Sequence, residues 1–464
     1  MHKSPTLLTR ELCRDYIENH LFSPGTPNTG RPPGEVGFIG LELESFPYCI
    51  NSQKKTHTVN FNGGNDSLLN VLRDSSEAFG GVARYLDKGA ADDQQRPLTG
   101  AIEFPDGSSF QFEPGGQTEI STAPCDSIEK VNAQLKSRQE ILRMLKQKNG
   151  IHFAQFGTNP WFNAEDIGFQ MNKIRYRAMA HYFDGVNSFG KKMMLQTCSL
   201  QVNLDLGIDW ATRIKRIIAA NLLAPFVTAL FANSPVIAGK VNGYKSYRSL
   251  IWQHLDPCRT GVLPLNQLSK TFSKEDLIDA YLEFALKAPI IYIEEFGNQV
   301  FPRNFTLEYW ITNPIQGLLP GINHLKNHLS LLFPEVRLKG YLELRSADVP
   351  PPEWQMIPAY FYSGLLYSNR HLDKTIDMLL PFASQLPTLM EKATCGLETE
   401  DIFNTSKNLM HLAIEGFSGL PDFFKNENDI RQFVSFFERF TMERKTFADE
   451  CLERFHNDKF LFPW

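Results

Sequence analysis

The 464-residue sequence has few of the features that assign a protein to a class at once. Its seven cysteines are odd in number and lie far apart, with no CxxC pair and no zinc-ligand spacing, so neither a disulfide scaffold nor a zinc site is expected. Residues 219–232 form the most apolar run, which is too short to span a bilayer and contains Asn221 and Pro225. We interpret this run as a buried helix.

A secretory signal and a strong excess of charge are not expected either. The first 22 residues lack a continuous apolar segment and are typical of an amphipathic helix. The formal net charge of −5 and the isoelectric point near 6.2 give no reason to expect nucleic acid or an anionic membrane as a partner. We therefore expect a cytoplasmic protein whose thiols are reduced.

The order of the sequence patterns predicts an α+β fold. Hydrophobic residues make up 42% of the chain, enough for a large core. Strand patterns mixed with helices come first and helices follow, which favours a mainly antiparallel sheet. Residues 1–36 are predicted as an N-terminal helix with a Pro/Gly-rich connector, and residues 37–464 as a single domain with a helical C-terminal third. Apolar spacing predicts helices over 127–148, 171–183, 210–232, 274–287, 355–370, 373–392, 399–416 and 428–455.

The stretch FQFEPGGQTEIS, residues 110–121, predicts a β-hairpin with an unusual polar face. Two phenylalanines alternate with polar residues, Pro-Gly-Gly forms the turn, and a second strand follows. Alternation places Gln111 and Glu113 on one side of the first strand, and Gln117 and Glu119 on one side of the second. Acids and amides thus share a surface that carries no lysine or arginine.

Three further stretches, GFIGLELESF, LQTCSLQVNLDLG and GYLELRSAD, repeat this pattern. In each of them one face of the strand is apolar and the other carries acids or amides, because side chains alternate across a strand. The four polar faces contain one arginine, Arg345, and no lysine. The glutamates on these faces are Glu42, Glu44, Glu113, Glu119 and Glu343.

Two interpretations of these faces are open. For any one strand, a solvated face of a sheet packed on helices is the simpler explanation. Like charges side by side on a sheet are destabilising, however, and hard divalent cations with oxygen ligands compensate for them. A metal site built from the five glutamates is the alternative.

The same stretches carry a resemblance to a known family. FEPGGQTEIS resembles the EPGGQxELS signature of the plant-type, or second, family of glutamate–cysteine ligases. GLELESF, RYRAMAHYF, MMLQTCSLQVNLD, NGYKSYRSLIW, DPCRTGVLP and YLELRSAD are similar to further motifs of that family, in the family's order. The resemblance spans about residues 37–350 and is closer to bacterial members in the DPCRTG stretch.

The resemblance implies a glutamine-synthetase-like fold, with a curved antiparallel sheet, surrounding helices and the active site on the concave face. It implies ATP-dependent ligation of the glutamate γ-carboxylate to the amine of cysteine, through γ-glutamyl phosphate, as the first step of glutathione biosynthesis. Magnesium or manganese would assist, because phosphoryl transfer depends on positioning and charge neutralisation. The implied partners are glutamate, cysteine and ATP, with no nucleic acid or membrane, and the implied state is a monomer or weak homodimer.

The resemblance also implies roles for individual residues. The five glutamates would hold metal and phosphate, and Glu343 and Arg345 would act in catalysis, with Arg345 stabilising the transferring phosphoryl group. Arg175 and Arg248 are candidates for binding substrate carboxylates, because a guanidinium matches a carboxylate in a bidentate manner. The other residues expected to bind substrate or ATP are Gln117, Gln201, Asn203, Tyr247, Trp252 and Arg259.

Two rival functions stay open at this point. The first is a ligase of the same fold that joins glutamate to a different amine, since nothing in the motifs reads the thiol directly. The second is a non-catalytic protein that binds glutamate, which the complete set of acids makes the weaker alternative. The cysteine context of the plant enzymes is not reproduced, so their disulfide switch is not expected here.

Overall fold

The computed structural model describes residues 7–23, 36–86, 98–171, 173–263, 272–297 and 299–458. Most of the predicted Pro/Gly-rich connector, and the first residues of the predicted N-terminal helix, lie outside them. In the described part, the strands are β1 (Ile39–Ile50), β2 (Thr56–His57), β3 (Val82–Tyr85), β4 (Thr99–Glu103), β5 (Ser109–Phe112), β6 (Thr118–Ser121), β7 (Ile151–Ala154), β8 (Ser199–Leu204), β9 (Val236–Ile237), β10 (Lys240–Val241), β11 (Thr260–Gly261), β12 (Phe333–Pro334), β13 (Val336–Leu338) and β14 (Leu342–Asp348).

Helices follow the strands and become dominant toward the C-terminus. Within the described residues the α-helices are α1 (Arg10–Tyr16), α2 (Leu68–Glu77), α3 (Ile128–Asn149), α4 (Ala164–Ile167), α5 (Ile174–Asp184), α6 (Phe189–Gln196), α7 (Trp210–Leu230), α8 (Tyr247–Leu255), α9 (Lys274–Lys287), α10 (Leu307–Thr312), α11 (Ile322–Leu329), α12 (Ile357–Leu366), α13 (Asn369–Leu379), α14 (Leu386–Ala393), α15 (Glu400–Ser418), α16 (Glu427–Phe436) and α17 (Phe447–Asp458).

One large antiparallel sheet organises the described part of the chain. Its strand order is β13-β14-β8-β1-β6-β5-β4-β3, and β2 and β7 pair with the far end of β1. The apolar side chains of β1, β8 and β14 are buried, and α7 and α12 pack on this side of the sheet. The predicted α+β class with a mainly antiparallel sheet is confirmed.

The helix predictions succeed where apolar spacing and capping residues agree. Helix α3 begins after Ser127, whose hydroxyl accepts from the backbone N–H of Lys130, and ends at Gly150 in the left-handed conformation. Helix α7 confirms that the most apolar run is a buried helix and contains Pro225. Among the described residues, no helix is both long and apolar enough to cross a membrane.

Two predicted C-terminal helices are wrong in their continuity. The segment predicted over 373–392 is divided into α13, a 3₁₀ turn and α14, because Pro381 and Pro387 cannot continue a helix from the preceding turn. The segment predicted over 428–455 is interrupted by a π-helical turn after α16 and by Arg444, whose φ of 55° is incompatible with a right-handed helix. The sequence analysis also missed α6 and α8, which both border the site described below.

Candidate active site

Strand pairing brings the predicted acids of β1, β6 and β14 onto one face of the sheet. Glu44 on β1 lies directly opposite Glu119 on β6. On the other side of β1, Glu42 pairs with Gln201 on β8. Strand β8 pairs in turn with β14, where Asn203 lies opposite Glu343. Stretches that are up to three hundred residues apart in sequence therefore form one continuous acidic surface.

This surface is buried, so the solvated-face interpretation is wrong. The exposed fractions of Glu44, Glu119 and Glu343 are 9%, 5% and 1%. The acids form the floor of a cavity of about 410 Å³, a size typical of small-molecule sites. Its charged lining residues are five glutamates and five cations, namely Glu42, Glu44, Glu113, Glu119, Glu343, Arg175, Arg248, Arg337, Lys339 and Arg345.

The carboxylate of Glu44 is held rigidly by the neighbouring strand. Its Oε2 accepts from the backbone N–H of Ser199 at 2.6 Å, and its Oε1 accepts from the Ser199 hydroxyl and the Gln201 amide at 3.3 Å each. Burial and the nearby charge of Glu113 raise the pKa of Glu44 to about 7, against the opposing effect of Arg248. This carboxylate is thus fixed in position but poorly neutralised.

Glu42 and Glu119 are in the same situation. Burial raises the pKa of Glu119 well above its usual range, and the charges of Glu42, Glu113 and Glu44 raise it further. Burial also raises the pKa of Glu42, with a contribution from Glu343. Each of these groups favours a proton or a cation over the free charged form.

Glu343 differs from the other acids because cations surround it. Its carboxylate contacts Arg345 and Lys339 at 2.9 Å and Arg337 at 3.6 Å. Burial alone would raise the pKa of Glu343, but Arg337, Arg345 and Lys339 hold it at about 2. Glu343 therefore stays ionised and gathers three cations at one side of the cavity.

Arg337 and Lys339 were missed by the sequence analysis, which noted no lysine on the four polar faces. Arg337 lies in β13 and Lys339 directly follows it, and the hairpin with β14 places Arg337 opposite Glu343 in register. The sequence VRLKGYLELR contained the signal, since a turn at Gly340 pairs the two basic residues with the acidic strand. The acids are consequently less isolated from positive charge than their own strands suggest.

Arg345 lies at the centre of the polar network. Its Nη1 donates to Gln201 Oε1 and to Glu343 Oε2, both at 2.9 Å, and its guanidinium lies 5.4 Å from the ring centroid of Trp252. Gln201 joins Glu44 and Arg345, because its amide nitrogen donates to the former and its oxygen accepts from the latter. The orientation of this arginine is fixed before any ligand binds.

Arg175 and Arg248 reach the cavity from helices outside the sheet. Arg175 lies in the first turn of α5 and Arg248 in the first turn of α8. Burial raises the pKa of Glu113, while Lys173 and Arg175 lower it most strongly among the charges nearby. The hairpin acid therefore faces the start of α5.

The Pro-Gly-Gly turn of the hairpin packs against the end of α6. A Cβ on Gly115 would lie 2.9 Å from the backbone of Leu195, so only glycine allows this approach. The amide nitrogen of Gln117 donates to the carbonyls of Met194 and Thr197. Its Oε1 is buried without a hydrogen-bond partner in the described part of the chain, and the residue belongs to the cavity lining.

Asn203 lies beside the cavity rather than in its lining. Its amide nitrogen donates to Glu42 Oε1 at 2.9 Å, and its Oδ1 is a second buried acceptor without a partner among the described residues. It stands opposite Glu343 in the sheet. Asn203 thus contacts the acids directly and ligands only through them.

Tyr247 and Arg259 are not in the lining of this cavity, so the structure does not bring them together with the other residues expected to bind substrate. Tyr247 lies on the other side of α6, in a separate surface cavity where its hydroxyl accepts from Lys192. Arg259 is fully buried, contacts Asp256 at 2.8 Å and donates to the carbonyls of Leu331 and Pro289. Its role in this structure is to tie three loops together.

A sequence profile of glutamate–cysteine ligase family 2 matches residues 74–394. The chain belongs to this family. The matched region holds Glu113, Glu119, Glu343 and Arg345, whereas β1, with Glu42 and Glu44, precedes it and joins the site through strand pairing. Family membership and geometry therefore converge on the same face of the sheet.

Individual members of the family are similar over different lengths. A chloroplastic glutamate–cysteine ligase of Medicago truncatula is 38% identical over 298 residues, covering 63% of this chain and 57% of the relative. A chloroplastic glutamate–cysteine ligase A of Oryza sativa subsp. indica is 33% identical over 419 residues, covering 86% of this chain and 79% of the relative. The match to the Medicago relative thus spans little more than half of that protein.

A solved structure supports the fold. The crystal structure of a glutamate–cysteine ligase of Francisella tularensis in complex with AMP superposes with a TM-score of 0.55 at 13% identity, covering 91% of this chain and 86% of that one. At this identity the likeness shows the shared fold alone.

The cavity of this family 2 chain also has apolar lining residues, of which sequence reasoning identified Trp252 alone. Trp252 contacts Phe333 edge to face, with ring centroids 5.6 Å apart, as one wall. Three methionines, Met179, Met193 and Met194, add flexible thioether side chains. The two consecutive methionines belong to α6, whose helical character was missed, so their direction was not predictable.

Proposed function

We propose that this chain catalyses the ATP-dependent ligation of the glutamate γ-carboxylate to the amine of cysteine, giving γ-glutamylcysteine, ADP and phosphate. One observation carries the proposal: a single cavity of a family 2 chain is lined by five glutamates, three of them buried, and by five cations. A reaction that joins a carboxylate to an amine at the expense of a polyphosphate requires both kinds of group.

The reaction needs two transfers. An oxygen of the γ-carboxylate attacks the terminal phosphorus of ATP, the bond to ADP breaks, and γ-glutamyl phosphate forms. The cysteine nitrogen then attacks the γ-carbonyl carbon, phosphate leaves, and the nitrogen loses a proton. In both steps negative charge moves between oxygens, so prearranged cations lower the barrier more than any covalent group of the protein.

The cations around Glu343 suit the transferring phosphoryl group. Arg345, Arg337 and Lys339 converge on this carboxylate from two strands of one hairpin. Glu343 neutralises part of their charge in the free protein and fixes their positions. Phosphate oxygens would then meet guanidinium and ammonium donors that need little rearrangement.

The arginines from the helices suit the substrate carboxylates. Arg175 has a buried Nε without a hydrogen-bond partner in the described part of the chain. Arg248 is 4% exposed and lines the same cavity. Since both lie on walls rather than on the sheet, they would hold the glutamate and cysteine carboxylates away from the acids on the floor.

A divalent cation, magnesium or manganese, fits the donor set. Glu42, Glu44 and Glu119 have raised pKa values because they are buried close to one another or to Glu113, and Gln117 contributes an unpaired buried oxygen. As placed, the described side chains include no group of three or more potential ligands that could hold a metal ion. When bound, the cation would neutralise phosphate charge.

The test is a product assay on the purified protein with glutamate, cysteine, ATP and magnesium. We expect ADP, phosphate and γ-glutamylcysteine in equal amounts, and AMP or an α-linked product would contradict the proposal. Cysteine, 2-aminobutyrate, serine and glycine are compared as acceptors by kcat/KM. If serine or glycine matches cysteine, a ligase for a different amine replaces this proposal.

A matched pair of arginine variants separates chemistry from folding. Arg345→Gln should lower kcat by about 100-fold or more, because it removes a charge that acts on the transferring group. Arg370→Gln is the control, since the side chain of this arginine is 72% exposed and lies 3.7 Å from a surface glutamate. Equal losses in the two variants would argue against a catalytic role for Arg345.

The cytoplasmic location, the monomer or weak homodimer and the single-domain organisation stay predictions.

A further inference from the structure

Asp348, the last residue of β14, is a carboxylate with no exposed side-chain surface and lies outside the cavity lining. A buried carboxylate is costly unless it is hydrogen-bonded and paired with a cation. It lies on the same strand as Glu343 and Arg345, three residues beyond the arginine. Its contacts therefore identify what the end of this strand holds in place.

Three donors from two segments meet at Asp348. Its Oδ2 accepts from the backbone N–H of Asn233 at 2.8 Å and from the Ser234 hydroxyl at 2.6 Å. Its Oδ1 accepts from the Ser246 hydroxyl at 3.0 Å. Ser246 is the N-cap of α8, so the carboxylate is tied to the start of the helix that carries Arg248 and Trp252.

The cation that faces Asp348 is Arg248. Its Nη1 lies 3.7 Å from Asp348 Oδ1, and its Nη2 donates to the carbonyl of Arg345 at 2.8 Å. Its backbone N–H donates to the same Ser234 hydroxyl that contacts Asp348. Burial raises the pKa of Asp348, and Arg248 is the charge that opposes this effect most. The Arg248 guanidinium thus contacts Asp348 and the Arg345 carbonyl, and the residue also lines the cavity.

We propose that Asp348 is a positioning residue that orients Arg248 for binding a substrate carboxylate, without touching the substrate itself. The inference rests on the proposed function, in which Arg248 binds such a carboxylate. Loss of the Asp348 charge leaves Arg248 free to turn toward the acids of the cavity floor, chiefly Glu44, whose pKa it already lowers. Substrate carboxylate binding should then weaken more than nucleotide binding.

The decisive variant is Asp348→Asn, which keeps the size and one acceptor oxygen but removes the charge. We expect the KM of the substrate bound by Arg248 to rise about tenfold or more, equivalent to about 1.4 kcal/mol of lost binding. The KM of ATP should change less than about threefold. Glu335→Gln is the matched control, since Glu335 is buried and accepts from Ser346 but contacts neither Arg248 nor the cavity.

A double-variant comparison distinguishes positioning from a structural role. In an Arg248→Ala background, Asp348→Asn should cause no further rise of that KM, because the group it positions is already absent. If the two changes multiply, or if the KM of ATP rises as much as that of the carboxylate substrate, the inference is overturned. A structural role would lower the melting temperature without this pattern.

Two further measurements keep the test decisive. If Asp348→Asn does not fold, Ser246→Ala removes one of its hydrogen bonds, and an unchanged KM in that variant overturns the inference. If the wild type forms no γ-glutamylcysteine, the proposed function fails, and calorimetric Kd values for glutamate replace KM. Wild-type binding that Asp348→Asn leaves unweakened would then overturn the positioning role separately.

Discussion

Replacing Glu44 by glutamine should stabilise the metal-free protein at neutral pH, although it removes a residue of the candidate active site. The folded pKa of this carboxyl is about 7, against 4.5 for the free group, chiefly because of burial and then of Glu113. Between these pH values the folded protein holds a proton that the unfolded chain releases. Stability from this group is therefore complete below pH 4.5 and is lost as the pH rises to about 7.

The size of the effect follows from the shift. The difference between a pKa of about 7 and one of 4.5 corresponds to about 3.5 kcal/mol, part of which belongs to the neighbouring charge of Glu113. For 464 residues the unfolding entropy is about 1 kcal/mol/K, so the melting temperature should change by about 1–3 °C. Glutamine can still accept the backbone hydrogen bond of Ser199.

The assay is thermal unfolding of wild type and Glu44→Gln in the presence of a chelator at pH 5 and pH 8. The variant should melt about 1–3 °C higher relative to wild type at pH 8 than at pH 5. Glu335→Gln controls for neutralising any buried glutamate. A difference between Glu44→Gln and wild type that does not change with pH, or that decreases toward pH 8, would refute the reasoning.

Two stability predictions concern regions away from the cavity. Burial lowers the pKa of His328, which contacts the Ala285 carbonyl, from 6.5 to about 4. The unfolded chain therefore binds the proton first, and the wild type should lose up to about 3 kcal/mol of stability as the pH falls from 6.5 to about 4. Acid-unfolding curves should show this loss in the wild type and not in His328→Gln. A Cβ on Gly364 would lie 2.2 Å from the Ala413 carbonyl oxygen where α12 crosses α15, so Gly364→Ala should lower stability by about 3 kcal/mol in thermal unfolding. Gly419→Ala is the control, because a Cβ there would have no neighbour nearer than 3.6 Å. Equal melting temperatures of the two variants would contradict this prediction.

Prediction from the sequence succeeded where a local pattern determines the outcome. Alternation on LELE and LELR placed Glu42, Glu44 and Glu343 on a polar face, and the structure agrees. Turn residues identified the hairpin that carries Glu119. Capping and apolar spacing identified α3. In each case the interactions that decide the conformation lie within a few residues of one another.

Prediction failed where distant segments decide. Whether the acidic faces were solvated depended on α5, α6 and α8 packing over the sheet, and two of those helices were not recognised. Tyr247 and Arg248 are adjacent in sequence, yet they line different cavities because neighbouring residues of a helix point about 100° apart. Arg259 was expected at the site because it belongs to one of the family's motifs. In the structure its guanidinium donates to buried backbone carbonyls instead.

The sequence by itself determined the strand faces, the α+β class and the resemblance to glutamate–cysteine ligases, because periodicity and motifs are properties of the chain. Only the tertiary structure decided how charge is distributed over the acids. Glu343 is paired with three cations of the β13–β14 hairpin, while Glu42, Glu44 and Glu119 lie close to like charges. The physical reason is that a pKa depends on burial and on charges within a few ångströms, and strand pairing brings those charges together from the whole length of the chain.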